Sequence, residues 1–211
     1  MQVKPNAYFD ALVIVNDAPS SLLPMSVLEM HLFSYLGCVL ALFQGKPLGN
    51  WGYGYAITSE GYPFSAELDE ARHIAVARSL LQISPQGLLS IPSTDLGNEV
   101  ESLLNLKLEW QERRQWMNVA TQCALALPVG SVRYAIGQSP GLATSLKLGQ
   151  RKFLLEQNDI NSLYSEYKII TDILGPSACD LLSPAVIWLS AKVLNQGDTT
   201  VQEGASFEPQ H

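Results

Sequence analysis

Histidine and cysteine are scarce in this chain, with three of each, and no two of them stand at the short spacings that metal sites use. His31, His73 and His211 are far apart, which excludes a local zinc motif and leaves no metal or other cofactor to expect. Cys38, Cys123 and Cys179 are odd in number and lie in apolar stretches such as Leu36-Gly37-Cys38-Val39-Leu40. They read as reduced thiols of a core rather than as a disulfide framework. Charge is also thin, at 16% against 47% hydrophobic residues, which excludes a disordered chain. Basic residues are outnumbered, 13 Lys and Arg to 20 Asp and Glu, for a net charge of −7. The summed field repels phosphate, so nucleic-acid binding needs a local basic patch and a protein partner is the simpler expectation. The greasiest stretch, Leu32 to Phe43, is free of charges but falls short of the roughly 18 residues that a membrane span requires. Met1-Gln2-Val3-Lys4-Pro5-Asn6 has neither the apolar run nor the small-residue cleavage site of a signal peptide, which predicts a cytoplasmic protein. No Gly-x-Ser-x-Gly elbow and no Gly-Lys-Ser/Thr phosphate loop occurs, and no catalytic residue is assigned.

What is present is helical periodicity broken by turn chemistry. Tyr8 to Val15 is a short apolar run that fits a strand or a short helix equally, and residues 1–25 are expected to form an N-terminal arm. Ser26, with Glu29 three positions on, forms a capping box that predicts a helix to Phe43, ended by Gly45 and Pro47. Leu48 to Tyr55 mixes aromatics with glycines and suits a short, irregular helix. Ser65 caps a further helix to about Ser79, with Glu67, Asp69 and Glu70 in its first turns. Leu80 to Ile83 and Leu88 to Ile91 flank Ser84-Pro85-Gln86-Gly87, a type I turn signal, and so predict a hairpin. Thr94 or Asp95 then caps a helix toward Leu106. That order is the order of a winged helix over residues 26–106. Residues 107–195 read as a helical domain, with helices at 106–127, 130–138, 150–157, 159–174 and 180–195, and 196–211 as a disordered tail. The expected class is mainly α, a winged-helix-like domain with a small β-hairpin followed by a helical domain.

Winged helices commonly lay their third helix in the major groove. Here that helix opens on three acids, and between Ser65 and Ser93 only Arg72 and Arg78 are basic. Better candidate DNA contacts are Arg113 and Arg114, and the cluster Lys147, Arg151 and Lys152, against the competing reading of a solvated charged face. Candidate protein-interface residues are the aromatics Trp51, Tyr53 and Tyr55, with Arg72 and His73 of the third helix, against the competing reading of core packing or a solvated face. Trp110 and Trp116 are expected to anchor the two halves to each other, and His31 to be a core or half-exposed histidine.

Leu28 to Leu36, Pro47-Leu48-Gly49-Asn50-Trp51-Gly52-Tyr53, Pro63-Phe64-Ser65-Ala66-Glu67-Leu68 and Ala77 to Leu81 resemble the middle component of three-component ABC systems, the small subunit of Lamassu-type bacterial antiphage defence. The resemblance covers residues 25–195 in pattern and is carried by hydrophobic spacing and aromatic and glycine positions rather than by a short motif. It implies a non-catalytic winged-helix accessory subunit that sits on the heads of a DNA-sensing, SMC-like ATPase and links it to a nuclease effector, with DNA met through the complex. Leu88 to Gly97 is also similar to MarR- and PadR-type regulators, which implies instead a homodimer that binds DNA directly. A third reading is a ligand-binding helical protein with its pocket between the halves, near Trp51 and Trp116.

Overall fold

Pro5 presets the first turn of α1 (Pro5–Asp17), and from Ala7 to Val15 only Tyr8 escapes full burial. A helix apolar on every face belongs inside a core, which is why its sequence carries no period to separate it from a strand. Within the segment expected to be an arm, α1 is part of the core instead: it packs against α2 (Val27–Phe43), α3 (Ala66–Ala77), α4 (Asp95–Leu104) and α5 (Glu109–Ala126). The computed structural model describes residues 3–58, 60–92, 95–138, 153–175 and 180–202, with side chains in the last stretch as far as Asn195.

The capping box of α2 forms as its sequence requires. Ser26 Oγ accepts from the Glu29 N–H at 3.2 Å, and Glu29 Oε2 accepts from the Ser26 N–H at 2.6 Å. Every residue from Met30 to Phe43 is buried. The helix ends in a Schellman motif, with Gly45 at φ +77°, its N–H bonded to the Leu42 carbonyl at 2.8 Å and the Lys46 N–H to the Ala41 carbonyl at 3.0 Å. This turn throws the chain back along α2 and delivers residues 46–55 to the junction of α1, α2 and α5. A 3-10 turn, Leu48–Asn50, is the only helical part of that stretch.

Two small antiparallel sheets complete the first part of the chain. β2 (Ala56–Ile57) pairs with β3 (Pro63–Phe64), and β1 (Met25–Ser26), β4 (Gln82–Ile83) and β5 (Leu88–Ser90) form a sheet in the order β1-β5-β4. The expected hairpin is present in its expected turn: Gly87 donates to the Ser84 carbonyl at 2.9 Å and takes φ +77°, which is glycine's use in a type I turn with a bulge. α2 and α3 are joined by residues 44–65, far longer than the roughly 3–4 residue turn of a helix-turn-helix. The main helical partner of α3 is α1.

Among the described residues the remaining helices are α6 (Val129–Gly137), α7 (Gln157–Leu174) and α8 (Leu182–Gln202). The described residues thus make a mainly helical protein with a small antiparallel sheet. The helix expected at 150–157 does not extend over 153–156: Phe153 bridges Ala56, the Leu154 N–H bonds to the Tyr55 carbonyl at 2.9 Å, and Leu155 takes φ +63°. Residues 150–152 of that segment lie outside the described residues. The tail expected from 196 is helical as far as Gln202, and residues 203–211 lie outside the described residues. One hydrophobic cluster runs from α1 to α8, and α5 packs on both α1 and α2, so packing does not lapse at residue 106. Among the described residues no single helix is long and apolar enough to cross a membrane.

Candidate binding site

The site is built on α5. Helical spacing puts Glu109, Arg113 and Trp116 on neighbouring positions of one face, and that face looks toward α1 and the end of α2. Arg113 is 4% exposed. Its Nε and Nη2 donate to the two oxygens of Asp10 on α1, each at 2.6 Å, and its guanidinium lies 3.7 Å from the ring centroid of Trp51. Burial pushes the Asp10 carboxyl above its ordinary range, and Arg113 and a hydrogen bond from Tyr53 only partly offset that push. For Arg113 burial acts downward, but the Asp10 carboxylate outweighs it and holds the guanidinium above its usual value.

A chain of hydroxyls extends from this pair. Tyr53 donates to Asp10, Ser34 Oγ lies 2.7 Å from both the Tyr53 and the Tyr55 hydroxyls, and Trp51 Nε1 donates to Tyr55 at 3.1 Å. Burial pushes both phenols well up, so they stay neutral and act as donors. The network joins α1, α2, α5 and the 51–55 loop around one desolvated charge pair, the arrangement in which each partner's loss is costly.

Above the pair lies a cavity of about 370 Å³, within the usual range for small-molecule sites. Trp51, Trp110 and Trp116 supply its apolar walls, and Arg113 and Cys38 are among its lining. Each indole N–H is committed: Trp110 to Asn6 Oδ1 at 3.1 Å, Trp116 to Gln44 Oε1 at 2.7 Å, and Trp51 as above. Asn6 also donates to the Trp51 carbonyl at 3.0 Å, which fixes the 48–51 turn against α1. At the mouth Lys46 pairs with Glu112 at 2.6 Å.

The expected interface aromatics are placed differently from their role as a docking patch. Trp51, Tyr53 and Tyr55 are buried, because the Trp51 and Tyr53 rings lie against the Arg113 guanidinium, the Tyr55 ring packs on Tyr35 and Tyr53, and each polar tip finds a partner inside. Arg113 is not a surface cation for DNA, since Asp10 holds it in the core. Arg114, adjacent in sequence but turned about a third of the way round the helix, is half-buried and bound to Asp17 at 2.5 Å and to Glu101 at 3.0 Å. Arg72 is buried and donates twice to Asp69, at 2.9 and 2.8 Å, while His73 is exposed beside it. Lys147, Arg151 and Lys152 lie outside the described residues, as do Cys179 and His211. Trp110 stacks on Phe9 at 5.0 Å and Trp116 faces Trp51 at 6.2 Å, so both tie α5 to the N-terminal elements.

Asp10, Ser34, Asn6 and Glu109 were not singled out from sequence. Asp10 had a signal: a lone acid inside an apolar run needs a buried partner if the run is a core helix. Among the described residues no cluster of three His, Cys, Asp or Glu side chains could hold a metal ion. No protein-family model, curated protein or solved structure matches the chain. Its class is defined by architecture alone, a mainly helical protein with a small antiparallel sheet and a tryptophan-walled cavity over a buried ion pair.

Proposed function

We propose that this protein is a non-catalytic accessory subunit that works by docking on a larger protein, an SMC-like ATPase of a Lamassu-type antiphage complex, which it links to a nuclease effector. The observation that carries the docking reading is the apolar surface of the last two helices. Ile169 and Ile173, one turn apart on α7, are 60% and 78% exposed, and Leu194 on α8 is 74% exposed. Large exposed apolar side chains on two helices that pack together support a surface that a partner covers. The identity of that partner rests on the family resemblance. The winged-helix reading of residues 26–106 is supported by the hairpin β4-β5 that follows α3, by β5 lying between β1 and β4 and by α4 after the hairpin; the long link between α2 and α3, which carries β2 and β3, departs from it.

The surface that a winged-helix regulator would turn to DNA is a poor phosphate binder here. Of its cations, Arg72 is tied to Asp69 and Arg78 to Glu99, and the hairpin from Leu80 to Ile91 carries no charge. This favours DNA contact through the complex over a MarR- or PadR-type homodimer. Co-expression with an SMC-like coiled-coil ATPase of this class should give a stable complex that shifts DNA in a gel, while the protein alone does not. The pair Ile169→Glu and Ile173→Glu should abolish co-purification with little change in the unfolding midpoint, since both residues are exposed. Failure to form a complex with such an ATPase, or a DNA shift by the protein alone as a homodimer, would overturn the assignment.

A further inference from the structure

The cavity over the Asp10–Arg113 pair has features that structural packing leaves unused. Asp10 occupies Nε and Nη2 of Arg113, and Nη1 has no acceptor among the described residues. Only His31 Nε2 and Asn118 Oδ1 are sealed from solvent without a partner there, so Nη1 keeps open surface, and the open space that Arg113 lines is the cavity. One turn earlier on the same helix face, Glu109 also lines the cavity and makes no ion pair or hydrogen bond among the described residues. Residues four apart on a helix have Cβ atoms about 5–6 Å from each other. A donor that cannot lose its proton and an acceptor therefore occupy neighbouring positions in the lining of a cavity whose indole N–H groups are satisfied.

We infer that the cavity binds a flat, uncharged heterocycle with a lactam edge, a ring carbonyl beside a ring N–H, of the guanine type. The carbonyl accepts from Arg113 Nη1, the N–H donates to the Glu109 carboxylate, and the ring faces lie against tryptophan. Charge selects against an anionic ligand: Asp10 cancels Arg113 and Glu112 cancels Lys46, which leaves Glu109 as the uncompensated charge of the lining. The adenine edge presents an amino donor and a ring acceptor in the opposite order, so it faces Arg113 with a donor and Glu109 with an acceptor. The site is independent of the partner proposed above, because its residues are on α1, α2, the 46–51 loop and α5 rather than on α7 and α8.

Quenching of tryptophan fluorescence in the full chain, titrated with guanosine and separately with adenosine, tests this. Guanosine should quench saturably with one site, and adenosine should bind about tenfold more weakly or less well than that. Glu109→Ala, at an exposed position, should weaken guanosine about tenfold, bind adenosine no more weakly than the wild type does, since it removes an acceptor that opposes adenine, and keep the wild-type unfolding midpoint. No saturable quenching by guanosine up to about 1 mM, a weak limit on the affinity scale, overturns the site. Equal binding of the two nucleosides, or a Glu109→Ala variant that binds guanosine as the wild type does, overturns the lactam assignment.

Discussion

His31 gives the most quantitative handle on this fold. It lies fully buried on α2, its ring 4.6 Å from that of Phe64, and Nδ1 accepts the Ser65 N–H at 3.2 Å. The proton of the neutral ring is therefore on Nε2, which has no partner. Burial lowers the pKa from 6.5 to about 4, with Asp69 pulling it up and Arg72 pushing it down by lesser amounts. Between those two values the unfolded chain holds a proton that the native chain refuses. Stability from this residue is thus complete above pH 6.5 and is lost as pH falls toward about 4. At 1.36 kcal/mol per unit the full loss is about 3 kcal/mol, of which roughly 2.5 kcal/mol has gone by pH 4.5.

The perturbation that isolates it is His31→Asn, whose Oδ1 can replace Nδ1 as acceptor for Ser65 and does not titrate. Urea unfolding followed by circular dichroism, at pH 7 and pH 4.5, yields four stabilities. At pH 7 the variant should be weaker by about 2–4 kcal/mol, the cost of the space left by the ring. By pH 4.5 that gap should close by about 2.5 kcal/mol, because only the wild type carries the His31 term. Groups common to both chains, Asp10 included, cancel in the comparison. Parallel stability curves for the two proteins across this range would refute the reasoning, and so would a His31 ring resonance that titrates near pH 6.5.

Three more outcomes are expected. Arg113→Met should cost about 3–5 kcal/mol by stranding the Asp10 carboxylate, and adding Asp10→Leu should recover more than half of that loss, both read by urea unfolding. Gly52 takes φ +93°, and a Cβ there would stand 2.9 Å from Asn6 Nδ2, so Gly52→Ala should destabilise by about 1–3 kcal/mol in a thermal melt. The Cys38 and Cys123 thiols are buried, which pushes Cys38 up and Cys123 to about 12; a thiol reagent at pH 8 should leave both unmodified until urea is added.

The parts of this fold that were readable in sequence are those whose cause is local. Ser26 with Glu29, Ser65, and Ser84-Pro85-Gln86-Gly87 each satisfy backbone groups within a few residues, and each forms the cap or turn its chemistry specifies. α1 was ambiguous because a helix buried on all sides has no polar face to reveal its period. The site was less readable still. Trp51 and Trp116 marked the region, but the aromatic cluster reads alike as a docking patch or as cavity walls, and the choice depends on Asp10, more than a hundred residues from its partner Arg113. Nothing in the neighbourhood of either residue announces the other.

The placement of Arg113 and Arg114 has a geometric cause with a testable consequence. Adjacent residues on a helix do not share a face, so the two guanidinium groups diverge from the same turn of α5. Both nevertheless end on α1, Arg113 on Asp10 and Arg114 on Asp17, seven residues further along and so on the same side of that helix. The two ties set the register of α5 against α1, and they neutralise the cations that a phosphate backbone would need. Asp17 is nearly buried, whereas Arg114 keeps 30% of its side chain exposed and a second carboxylate, Glu101, within reach. Asp17→Asn should therefore cost only about 1 kcal/mol or less, against the several lost at the inner tie. If the ties serve packing alone, this variant should bind DNA no better than the wild type at any salt concentration. A salt-dependent gain would instead mean that Asp17 masks a phosphate contact on α5.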